Sequence, residues 1–90
     1  MKTRTKVEVG SRLAKLQGQV RGLAAMIEDG RDPTEVLTLI SAIRAALDGV
    51  GSVVLTQQVE AALTSAEQLS REEVTERVES VRKALARYVS

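Results

Sequence analysis

The chain has no cysteine and no histidine among its 90 residues. The first absence excludes disulfides, thiolate metal sites, thiol nucleophiles and thiol redox sensing. The second removes the commonest protein metal ligand and the commonest general base. Most catalytic constellations go with them, so no catalytic residue and no cofactor are assigned, and an enzyme is not expected. Tryptophan and phenylalanine are also missing, and Tyr88 is the one aromatic residue. Apolar packing therefore rests on Leu, Ile, Val and Ala. A glycine-rich phosphate loop, a nucleophile elbow, an internal repeat and a low-complexity segment are all absent. The start Met-Lys-Thr-Arg-Thr-Lys is basic but leads into Glu8, Arg12 and Lys15 with no apolar h-region, so a secretory signal is not expected. No uninterrupted run approaches the ~20 apolar residues of a membrane span. A cytoplasmic protein with no membrane partner is expected.

What is present reads as helix. Leu13, Leu16, Val20, Leu23 and Ile27 follow one another at steps of three and four, which places them on one stripe of a helix over about 7–28. Asp29-Gly30 ends it. Asp32 is then a cap, Pro33 suits the first helical position, and Glu35 sits where a capping-box acid reaches back. From there Val36, Ile40, Ile43, Leu47, Val50 and Val54 repeat the same steps in a second helix over about 33–65, widened by Leu37, Leu39, Ala42, Ala45 and Ala46. No charge occurs from Gly49 to Val59. Such a helix is ~50 Å long at ~1.5 Å per residue, against a radius of gyration of ~12 Å for a compact domain of this size, so a second subunit must cover it. Gly49 and Gly51 each cost about 1 kcal/mol inside a helix relative to Ala and are read as points of close helix approach. Ser70-Arg71-Glu72-Glu73 is another capping box, and Val74, Val78, Val81, Leu85 and Tyr88 form the stripe of a third helix over about 71–89. The fold class is all-α: a helical hairpin plus a short third helix, one continuous domain over 1–90, assembling as a dimer or tetramer of antiparallel bundles.

The net charge of +1 is unevenly spread. Residues 1–31 hold seven Lys or Arg against three acids, whereas 32–66 hold only Arg44 against four acids. That asymmetry points to a polyanion partner. Lys2, Arg4 and Lys6 are read as a flexible basic arm over 1–6. Arg12 and Lys15, at i and i+3, share a helix face.

Two stretches are more specific than periodicity: Arg12-Leu-Ala-Lys-Leu-Gln-Gly-Gln-Val-Arg-Gly22 and Val36-Leu-Thr-Leu-Ile-Ser-Ala-Ile-Arg-Ala-Ala-Leu-Asp-Gly49. They resemble the first and second helices of the CsoR/RcnR family of copper-sensing and nickel/cobalt-sensing repressors, without a gap from about Arg12 to Ala62. The end, Ala-Arg-Tyr-Val-Ser90, is similar to the third helix of the family's longer members. The resemblance implies a helical dimer, usually paired into a homotetramer, that binds double-stranded operator DNA without a helix-turn-helix and releases it when an effector binds. It also implies a DNA-binding role for Arg12 and Lys15, to which Arg21, Lys2, Arg4 and Lys6 are added as candidates. Arg44, shared with the family, either pairs with Asp48 at i+4 or touches DNA.

The same resemblance places the family's Cys and His metal ligands at Pro33, Gln58 and Ala62, the first from one subunit and the others from its partner. None of the three can serve as a thiolate or imidazole ligand, so no metal site is expected. Formaldehyde sensing in related members relies on the same cysteine and an N-terminal proline, which are Pro33 and Lys2 here. Persulfide sensing needs two cysteines. The altered positions form either a packed surface or a small pocket for an unidentified organic or anionic effector, with DNA binding constitutive in the first case. The expected function is thus a DNA-binding repressor of this type with its inducer unknown or absent. The rival is an oligomeric helical scaffold or partner-binding protein whose cations only solvate its surface.

Overall fold

The computed structural model describes residues 1–65 and 68–89. Ser90, the last residue of the stretch compared with the family's third helix, lies outside them. Regular structure consists of three helices, α1 over Thr3–Glu28, α2 over Pro33–Ser65 and α3 over Arg71–Val89. α1 and α2 pack as an antiparallel hairpin, and α3 folds back on the C-terminal half of α2 without reaching α1.

Each boundary has a local cause. Asp29 ends α1, Gly30 follows with φ of 69°, and the N–H of Arg31 donates to the Met26 carbonyl at 3.0 Å while that of Gly30 donates to Ile27 at 3.2 Å. This is the paired closure that satisfies orphan carbonyls at a helix end, and it needs a residue tolerant of the left-handed region. The Thr34 N–H donates to Asp32 Oδ1 at 2.8 Å, and the Glu73 N–H donates to Ser70 Oγ at 3.1 Å, so both anticipated caps are formed. Glu35 differs from expectation: its carboxylate takes the Arg31 guanidinium at 3.0 Å, an exposed pair that bridges the turn.

The start of α1 corrects the sequence reading. Residues 3–6 are helical, not a flexible arm, with the Lys6 N–H donating to the Lys2 carbonyl at 2.9 Å. Nothing from Thr3 to Val9 breaks a helix, and α2 is long enough to support these first turns. Arg4, Thr5 and Glu8 line one groove with Ser52, Val53, Thr56 and Gln57 of α2. Neighbouring helical surface outweighs the lack of a side-chain cap at Lys2.

The chain is an open slab of 58 × 28 × 13 Å with a radius of gyration of 17.8 Å, well beyond the ~12 Å of a compact domain of this length. Among the described residues only Leu16 and Val50 are buried apolar side chains, and Gln57 is the buried polar one. Ile27 at 60% exposure, Leu37 at 61% and Leu47 at 53% show how much of the periodic stripe remains open. By length and composition α2 is apolar enough to cross a membrane, although Arg44 and Asp48 interrupt its apolar run. Its surface is also that of a helix covered by other subunits.

Both glycines in the middle of α2 are points of close approach, and on opposite sides. A Cβ at Gly51 would lie 2.4 Å from the Tyr88 hydroxyl of α3, and one at Gly49 would lie 3.2 Å from a guanidinium nitrogen of Arg12 of α1. Gly51→Ala should therefore expel the Tyr88 ring, seen as a change in tyrosine fluorescence and near-UV circular dichroism. Gly49→Ala meets only the mobile end of Arg12, so the Tyr88 signal should stay unchanged while urea unfolding shows a gain of ~0.5–1 kcal/mol from helix propensity. Equal responses from the two variants would contradict this packing.

Candidate nucleic-acid interface and sensor positions

The hairpin has two faces, and the candidate cations divide between them. Arg12 and Lys15 lie on the first, lining a groove along the α1–α2 seam with Glu8, Ser11, Gln19 and Ala46. Lys2 and Arg4 line the adjoining groove, which shares Glu8. From Arg4 to Lys15 this edge runs ~16 Å along α1 at ~1.5 Å per residue. Arg21 is on the other face, beside Leu13, Val20, Ile43 and Leu47 in an apolar groove. The helix that carries all of these cations thus presents Lys2, Arg4, Arg12 and Lys15 together and sets Arg21 apart. Lys6 is exposed and lines none of these grooves.

Arg12 pairs with Glu8 one turn earlier at 3.4 Å, with both side chains about half exposed. A surface pair of this kind contributes ~0–1 kcal/mol, so it holds the guanidinium without preventing its transfer to another anion. Gln19 sits in the same groove with its amide oxygen inaccessible to solvent and without a hydrogen-bond partner among the described residues. An unpartnered polar atom of this sort costs ~1–3 kcal/mol. Sequence reasoning passed over Gln19, although a glutamine between the apolar positions Leu16 and Val20 was a visible signal. Gln57, a neighbour of Gln58 in sequence, is buried instead where α2 meets the first turns of α1.

Of the two alternatives for Arg44, the pair with Asp48 is not formed. The Asp48 carboxylate receives the Tyr88 hydroxyl at 3.1 Å, with the Asp48 backbone carbonyl 3.3 Å from the same oxygen. Arg44 forms no ion pair among the described residues and is exposed. This contact between residues 40 apart ties the end of α3 to the middle of α2. Partial desolvation of the half-exposed ring against α2, then the hydrogen bond to Asp48 and its negative charge, push the Tyr88 hydroxyl above its ordinary range.

Pro33 begins α2 and Gln58 lies 25 residues further along it. At ~1.5 Å per residue they are ~37 Å apart, so one chain cannot bring them together. Gln58 and Ala62 face α3, lining its clefts with Ser80 and Val81. Their donor set is one amide. Among the described residues no three Asp, Glu, Cys or His side chains gather to hold a metal ion. A copper(I) or nickel ion, which wants sulfur or imidazole nitrogen, does not fit these residues.

The fold is an all-helical hairpin with a third helix, with Lys2, Arg4, Arg12 and Lys15 along one edge, and its likeness to known proteins assigns its class as a helical transcriptional repressor. The sequence profile described as metal-sensitive transcriptional repressor matches residues 5–87, and the chain belongs to that family. Its members are repressors and not enzymes. The chain is 39% identical over 64 residues to the copper-sensing transcriptional repressor RicR of Mycobacterium tuberculosis H37Rv, covering 71% of this chain and 67% of that protein. To the copper-sensing transcriptional repressor CsoR of Bacillus subtilis 168 it is 38% identical over 48 residues, 53% of this chain and 48% of that one. Among solved structures, copper-sensing CsoR with Cu(I) from Geobacillus thermodenitrificans NG80-2 is similar over 100% of this chain and 92% of its own, with TM-score 0.84 and 27% identity. The nickel-responsive regulator InrS is similar over 90% and 89%, with TM-score 0.79 and 27% identity.

The Tyr88–Asp48 contact makes a pH prediction. A phenol whose folded pKa is raised is stabilised in its neutral form, so its docking is fully present below the ordinary tyrosine pKa of ~10 and is lost as pH rises through the higher folded value. Phenolate absorbance should titrate above free tyrosine, and Asp48→Asn should lower the midpoint only in part, because desolvation is the larger cause. A midpoint at the free value in the folded protein would show that Tyr88 is undocked.

Proposed function

We propose that this chain is a cytoplasmic DNA-binding repressor, acting as a dimer or tetramer, whose DNA binding is not governed by a Cys/His metal site. The observation that carries the reading is the common edge of Lys2, Arg4, Arg12 and Lys15 on the face of the hairpin away from the apolar groove. The apolar face, with Leu13, Val20, Ile43 and Leu47, is the surface for other copies of the chain. That division leaves the cations free to meet a duplex while the subunits are joined. Phosphate contacts of this type position a protein on DNA and release counterions, so affinity falls steeply with salt.

Within this edge Arg12 and Lys15 are the principal contacts, with Arg4 and Lys2 extending the track. Arg12 exchanges Glu8 for a phosphate, a move that costs little because the pair is solvent-exposed. Arg21, beside the apolar groove, is assigned to the subunit contact region and contributes less to DNA affinity. The loss of sulfur and imidazole donors at Pro33, Gln58 and Ala62 uncouples the scaffold from copper and nickel. The inducer, where there is one, is a small molecule of another chemistry.

Replacing Arg12 and Lys15 together by Ala should weaken binding to DNA from the protein's own promoter region and reduce the slope of log affinity against log salt by about 2. Native mass spectrometry should find the oligomer intact. The proposal fails if the wild-type protein shows no salt-sensitive binding to that DNA, or if the double variant binds with an unchanged slope.

A further inference from the structure

The seam between α2 and α3 holds a channel with chemistry of its own. Its larger part is a cavity of about 340 Å³ between Val54 and Leu55 of α2 and Val81 and Leu85 of α3, with Tyr88 at one end. Gln58, Ser80 and Val81 continue the wall into a second cavity of about 220 Å³, where Arg77 stands. The channel therefore runs from an apolar end, past an amide and a hydroxyl, to a guanidinium. Its size falls within the ~300–1,000 Å³ common for small-molecule sites, which combine apolar walls with a few convergent polar groups. Among the described residues no carboxylate lines either cavity, and Arg77 makes no ion pair.

We propose that this channel binds a small amphipathic carboxylate, a medium-chain aliphatic or aryl acid, with its tail between Val54, Leu55, Val81 and Leu85 and its carboxylate on Arg77. A planar guanidinium takes a carboxylate through two parallel hydrogen bonds. The Gln58 amide and Ser80 hydroxyl stand where the tail gives way to the head group and can donate to the same oxygens. A neutral apolar molecule leaves Arg77 unused, and an amine is repelled by it. Tyr88 and Arg77 are 11 residues apart on α3, ~16 Å by helix rise, which limits the length of an extended ligand.

The channel's apolar end is also where the Tyr88 ring lies over Gly51 and bonds Asp48. A tail entering there competes with the ring for the α2 surface. The same turn of α2 carries Gly49, against which Arg12 rests from the other side. Entry of the acid thus acts on the segment that supports a cation of the DNA-binding edge. This effector role rests on the repressor reading, whereas binding of the acid does not.

Tyr88, the sole aromatic residue, stands at one end of the channel, 52% exposed, and gives a fluorescence signal there. The full chain is titrated with octanoate, octanol and octylamine, with light scattering to follow the oligomer and far-UV circular dichroism to check folding. Octanoate should bind saturably, with octanol and octylamine at least about ten-fold weaker. Arg77→Gln should weaken octanoate about ten-fold, since a charged hydrogen-bond partner is worth about that factor, and Arg77→Lys should restore only part of the affinity, because an ammonium keeps the charge but not the two parallel bonds. Absent saturation, equal binding of octanoate and octanol, or indifference to Arg77→Gln overturns the site. So does binding seen only as the oligomer dissociates, because the channel is then a subunit contact. With promoter DNA present, release by octanoate supports the effector role, and octanoate bound with DNA retained overturns that role alone. Failure of the protein to bind DNA without octanoate counts against the repressor reading only.

Discussion

One long apolar helix carries more hydrophobic surface than its own chain can cover, and the rest of the structure answers to that excess. α1 covers one side of α2 and α3 covers part of another, each approaching where glycine removes the side chain. Even so, Leu37, Leu47 and Leu63 stay open, and among the described residues only Leu16 and Val50 are buried apolar side chains. At roughly 25 cal/mol per Å² of apolar area removed from water, a subunit with so few buried side chains gains most of its stabilisation by associating.

The same arrangement sorts function by face. Arg21 lies beside the apolar groove, whereas Lys2, Arg4, Arg12 and Lys15 lie along the opposite edge. Pro33 and Gln58, ~37 Å apart on α2, do not meet within one chain. Pro33, Gln58 and Ala62 are ordinary helix residues at their places in α2, so their side chains leave the helix intact without offering a sulfur or imidazole donor.

Much of this was legible in the sequence. Steps of three and four along Leu13–Ile27, Val36–Val54 and Val74–Tyr88 gave the helices, and Asp32-Pro33 and Ser70 gave their starts because caps act through short-range hydrogen bonds. The Gly18-Gln-Val-Arg-Gly22 run gave the family. Other features depend on contacts distant in sequence and were not readable. The first turns of α1 look like a loose arm until α2 is placed beneath them. Asp48 looked like a partner for Arg44 four residues before it, whereas a tyrosine 40 residues later claims it. Periodicity likewise put all the cations of α1 on a polar surface without showing which edge of the hairpin each would join. Arg77 passed as one more surface charge because nothing local marks the cleft it faces.

The central claim is that a metal-sensing scaffold here binds DNA without answering to metal. The most direct measurement is the affinity for its promoter DNA in Cu(I), in Ni(II) and in a chelator at matched ionic strength. The account predicts one binding curve in all three and no metal retained by the protein after gel filtration. A curve that shifts to weaker binding with stoichiometric copper or nickel would contradict it, because it would show a ligand set that the residues at Pro33, Gln58 and Ala62 cannot supply.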